Sequence, residues 1–189
     1  MNRRRLHGGC AAAVITLSVA AATDTVHACG LEAVINGGFT VSHPRSLEVA
    51  VAVAEARSAG VLPALGSDVA SNDVLLRQMI AHLRRLQSRL NAGRVAIDKG
   101  TSAPFSLVLV GPGLWSHFHM TSGGVLARYH VDGPLDGEAV VLTHQLVLEA
   151  LLRGSLTAED ALDQGLLVFS GDDADVVRKA FNSGLGPKA

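Results

Sequence analysis

The stretch "ALLRGSLTAEDALDQGLLVFSGD", residues 150 to 172, decides the fold. It breaks at Gly154, Gly165 and Gly171, and between the breaks its period changes from helical to strand-like. Upstream, Thr143 is placed to cap a helix "HQLVLEALLR" that stops at Gly154. Thr157 and Asp160 have capping-box spacing for a short second helix stopping at Gly165. "LLVFS" is too short and too apolar for anything but a buried strand, and "DDADVVRKAFNSG" follows as a helix with Asp172, Asp173 and Asp175 at its positive end.

Working backward, the texture from Pro104 is that of strands. "FSLVLVG", "LWSHFHM", "VLARYHVD" and "EAVVLTH" are short β-branched or aromatic runs separated by "GPG", "TSGG" and "DGPLDG". Three or four antiparallel strands in a meander are expected. Earlier still, Pro44 is a plausible first helical position for "RSLEVAVAVAEARSA", with Gly60 past its end. A longer helix follows in "SNDVLLRQMIAHLRRLQSRLNAG", where Leu75, Met79, Leu83, Leu86 and Leu90 form one stripe. Arg77, Arg84, Arg85 and Arg89 fall on its other side. Such a basic face can dock anionic lipid headgroups or a protein partner, although a solvated face is its commoner meaning.

The chain has 189 residues, 48% hydrophobic and 17% charged, enough for one domain with a real core. Arg3, Arg4 and Arg5 precede the apolar run Cys10 to Ala22, and "VHA" ends at Ala28, the layout of a secretory signal peptide with a loose twin-arginine flavour. The expected organisation is a signal peptide over 1–28, a helical region over 29–103 and an α+β domain over 104–187. The product would be periplasmic or secreted. Without Arg3, Arg4, Arg5 and Asp24 the mature chain keeps 13 basic and 16 acidic residues, a net charge of −3. Mild acidity without a basic tract gives no electrostatic reason to expect nucleic acid. Cys29 is then the one cysteine left, so no internal disulfide framework is expected. A lone cysteine at a new amino terminus could carry lipid, as in bacterial lipoproteins. His27 stands where a lipobox prefers a small residue, however, so an unmodified or intermolecularly paired thiol is the expectation.

The order strand, strand, strand, strand, helix, helix, strand, helix, with these residues, resembles the sterol carrier protein 2 (SCP2) family. The resemblance runs from about Val131 to Phe181 and is carried by "VDG", the strand-to-helix segment from Ala139, "G-x-L" at Gly154 to Leu156, "A-x-x-x-G" at Ala161 to Gly165, and "G-D" at Gly171 and Asp172. It implies a mainly antiparallel five-stranded sheet covered by helices, here preceded by two more. It also implies an apolar tunnel for lipids or sterols between the layers, and no catalytic residues or cofactor. The residues expected to meet such a ligand are Phe118, Met120, Tyr129, Leu148, Leu152, Phe169 and Phe181. The competing expectations are an accessory protein whose core has filled in, with a partner on helices 44 to 92, and an exported metal-binding protein.

The metal reading rests on "WSHFHM". If Gly123 and Gly124 make a two-residue hairpin turn, His117 lies opposite His130 and His119 shares their face. Three imidazoles on adjacent strands suit zinc or copper. An amphipathic hairpin with Leu114, Phe118, Met120 and Tyr129 on its other face explains the same pattern without metal, and no metal is expected. Neither G-x-S-x-G nor a P-loop occurs.

Overall fold

The computed structural model describes residues 41–63, 72–93 and 102–186. The export signal, its cleavage point and Cys29 lie outside the described residues. Helix α1 (Ser46–Ser58) buries Val49, Val53 and Ala56 at helical spacing and ends where Gly60 adopts φ 75°. It starts two residues after the expected Pro44. The Ser46 hydroxyl accepts from the His43 amide at 3.0 Å, and the Ser46 amide donates to the His43 carbonyl, so Pro44 and Arg45 are spent in a turn. Helix α2 (Asn72–Ala92) buries Met79, Leu83, Leu86 and Leu90, and Arg77, Arg84 and Arg85 are exposed.

Four strands follow: β1 (Ala103–Val110), β2 (Leu114–Thr121), β3 (Gly124–Val131) and β4 (Ala139–His144). Then come α3 (Gln145–Arg153), α4 (Ala158–Asp163), β5 (Leu167–Ser170) and α5 (Ala174–Leu185). The element order, the α+β class and the five-stranded sheet are as expected. The meander is not. The sheet order is β3-β2-β1-β4-β5, with β1 and β4 paired in parallel and all other pairs antiparallel. β4 therefore leaves β3 and returns beside β1. β1 and β4 are apolar nearly throughout, as strands covered on both faces must be.

The helix ends of the opening stretch form locally. Gly154 (φ 76°) and Gly165 (φ 68°) take left-handed conformations that a side chain would oppose, and each ends its helix. Thr157 caps α4 by accepting from the Asp160 amide at 3.0 Å. Thr143 does not cap α3. It remains in β4, where its hydroxyl donates to the Leu166 carbonyl at 3.1 Å, and His144 takes the capping role by accepting from the Leu146 amide through Nδ1 at 3.2 Å. The strand runs one residue further than the cap spacing suggests because Thr143 is held between Leu109 and Leu167.

One sheet face carries Phe105, Leu107 and Leu109 of β1, and α5 packs against it through Phe181. α2 reaches the same face at β3, where Gln87 bonds Tyr129. α1 rests on β1 and β4, with Arg57 close enough to His144 to affect its charge, on the face of Val108 and Leu142. A single cluster of buried apolar residues extends from Val49 to Leu185 and includes all five helices.

Candidate ligand-binding layer

Strand alternation places Phe105 directly opposite Phe118 and Phe118 opposite Ala127, so these residues share one face. Phe105 and Phe118 stack, with centroids 4.9 Å apart and planes 5° from parallel. Phe181 meets Phe105 edge-on at 5.8 Å and Phe169 at 5.2 Å, and Tyr129 meets Phe118 edge-on at 6.2 Å. The result is a continuous line of rings from β5 across the sheet to β3.

The seven expected ligand residues thus face one layer at four of their positions through these ring contacts. Phe118, Met120, Leu148 and Phe181 are at most 1% exposed. Tyr129, Leu152 and Phe169 are half-buried against the same cluster. Side chains with no accessible surface border no open cavity, so in this state the layer is packed at its centre and meets solvent at Tyr129 and Phe169, the two ends of the ring line. Sequence reading missed Phe105, at the centre of the ring line. Its alternation with Leu107 and Leu109 in "FSLVL" was the available signal.

The rim at β3 is polar. The Tyr129 hydroxyl donates to Gln87 Oε1 at 2.6 Å, the Gln87 amide donates to the Val125 carbonyl at 2.7 Å, and the Arg84 guanidinium lies 6.0 Å from the Tyr129 ring centre. Burial raises the Tyr129 pKa, and Arg84 opposes that shift.

The histidines do not assemble as the metal reading requires. The hairpin turn is Ser122-Gly123, with Thr121 opposite Gly124, so His117 faces Arg128. A β-bulge lies between Trp115 and Ser116, opposite which His130 (φ 58°) is the extra residue. One residue of turn chemistry and one bulge therefore separate His117 from His130. His117 donates through Nε2 to the Gly133 carbonyl at 2.7 Å, and His119 is bonded to Ser102. Among the described residues, no three His, Cys, Asp or Glu side chains are grouped to hold a metal ion. On this second face, Pro104, His117, His119, Leu126, Leu135 and Glu138 border an open recess of about 300 Å³.

From Ala103 to Leu185 the chain runs as four strands, two short glycine-ended helices, a fifth strand and a closing helix. No family model matches the chain, and neither does any curated protein. Among solved structures, the sec-alkylsulfatase Pisa1 from Pseudomonas sp. is similar at 11% identity over 50% of this chain and 14% of its own, with a TM-score of 0.36. A double mutant of that enzyme matches over 12% of its length, so this chain covers only a small part of either. Palmitated SCP2L2 from Aedes aegypti is similar at 20% identity over 52% of this chain and 87% of its own, with a TM-score of 0.39. The crystal structure of SCP2-L2 from the same organism gives 18%, 56%, 96% and 0.36.

Proposed function

We propose that this chain is an exported, non-enzymatic binder of an apolar, lipid- or sterol-like ligand held between the sheet and helices α2 and α5. The observation that carries this reading is the uninterrupted line of rings from Phe169 to Tyr129, apolar at its centre and open to solvent at both ends. A ligand that replaced part of this packing and buried about 300 Å² of its own apolar surface would gain on the order of 7 kcal/mol before association costs. Entry requires the half-buried rim residues to move aside. The tri-arginine start and the "VHA" site support export, with a mature terminus at or near Cys29.

The test is uptake of a fluorescent fatty acid or sterol by the purified protein, with mass spectrometry of its organic extract. Uptake that weakens in Phe169→Asp while folding is retained supports the reading. An extract free of lipid together with no uptake sinks it. Intact mass of an exported fraction showing a retained Met1 would overturn export.

A second reading is favoured by the full burial of Phe118, Met120, Leu148 and Phe181. In it the layer is simply a filled core, and the exposed Arg77, Arg84 and Arg85 of α2 meet an anionic partner. Failure of all lipid uptake leaves this reading in place.

A further inference from the structure

The ligand layer is closed almost entirely by hydrocarbon. Across all five strands the inward positions of this face carry no charged side chain and three hydroxyls, those of Ser116, Tyr129 and Thr143. Two are engaged: Tyr129 donates to Gln87, and Thr143 donates to the Leu166 carbonyl. The third is not. Ser116 is fully buried, and among the described residues its Oγ has no hydrogen-bond partner.

The placement of Ser116 follows from the bulge. With His130 looped out, Ser116 pairs with Tyr129 on one side and with Leu107 on the other, and its own strand puts Leu114 and Phe118 two residues away on the same face. A hydroxyl offers one donor and two acceptor positions, and leaving them unmade in hydrocarbon costs stability that an alanine would not. A buried polar group of this kind is open to an ordered water or to a polar group of a bound molecule.

Resting on the apolar-ligand reading above, we infer that Ser116 is the anchor for the polar end of the ligand, and that this end is a neutral hydroxyl or carbonyl group. The ligand class is therefore a long-chain alcohol, sterol or similar amphiphile with one uncharged hydrogen-bonding head. The neutrality follows from the surroundings. A carboxylate at Ser116 would be buried with no cation on this face of the sheet, since Arg128 alternates to the opposite face and the Arg84 guanidinium lies at the rim over the Tyr129 ring. An unpaired buried carboxylate is far more costly than a neutral head. The hydrocarbon part then runs along the rings of Phe118 and Phe105, and the head enters first.

The experiment uses the full chain and displacement of a pyrene-labelled hydrocarbon by 1-hexadecanol, hexadecane and hexadecanoate at pH 8. In the wild type, hexadecanol is expected to compete about tenfold better than hexadecane, the value of one retained hydrogen bond. Ser116→Ala should weaken hexadecanol about five- to tenfold, leave hexadecane unchanged, and melt no lower than the wild type. Ser116→Cys, which keeps the shape with a weaker donor, should fall between them. Equal competition by alcohol and alkane, an alcohol affinity indifferent to Ser116→Ala, or a clear preference for hexadecanoate overturns the assignment while the binder reading stands. No displacement by any of the three overturns both.

Discussion

Gly93, just past α2, and Gly184, inside α5, meet backbone to backbone: a Cβ on Gly93 would stand 2.5 Å from the Gly184 Cα and 2.7 Å from the Ser183 carbonyl oxygen. The two helices that cover the ring layer are thus locked together at one end by the absence of two side chains. Gly93→Ala must push backbone apart and is expected to destabilise the protein by about 2–3 kcal/mol. Gly184→Ala meets the Arg89 carbonyl oxygen at 3.0 Å but gains helix propensity, and should cost less. Urea midpoints of the two variants check the order, and a harmless Gly93→Ala would disprove the close approach.

Phe181 touches both Phe105 and Phe169 and is fully buried. Phe181→Ala should therefore cost about 3–5 kcal/mol. Phe169→Ala, at the half-buried end of the line, should cost clearly less. Equal losses in chemical denaturation would mean that the ring line does not grade from packed centre to open rim.

The pH dependence has a definite sign. Burial, assisted by the Arg57 guanidinium, lowers the His144 pKa from 6.5 to about 4, so the imidazole is neutral in the folded protein. Between those values the unfolded chain binds the extra proton, and stability falls as pH drops from about 6.5 toward 4. The His144 share approaches about 3 kcal/mol at the acid end, and His43 and His82, also lowered by burial, act in the same direction. His144→Asn keeps an acceptor at the α3 cap and should flatten the slope of urea midpoint against pH. An unchanged slope would remove His144 as its source.

Thr143→Val preserves shape but leaves the Leu166 carbonyl without its partner, and is expected to cost about 1–3 kcal/mol. Thr143→Ser should retain most of the stability. If Thr143 were the α3 cap instead, helix loss by circular dichroism would accompany the valine variant, and that outcome is not expected.

What the sequence determined alone was short-range. Gly154 and Gly165 end their helices because a left-handed residue is a local demand, Thr157 finds Asp160 three residues away, and the Met79 to Leu90 stripe follows from the helical period. The alternation of Phe118 and Met120 against His117 and His119 likewise assigned the two faces of the hairpin before any partner strand was known. Tertiary structure decided the rest, because it depends on partners far away in the chain. β4 could pair with β3 or with β1, and nothing in "EAVVLTH" distinguishes them; a strand apolar on both faces settles centrally, beside β1. The His117 to His130 register depended on which two residues turn, which shifts every opposite pair, and on one bulge, which shifts the pairs beyond it. Gly93 and Gly184 are ordinary glycines until two helices cross there. The unpaired Ser116 hydroxyl is invisible in "LWSHFHM", since whether a buried hydroxyl has a partner is a property of its neighbours on other strands and helices.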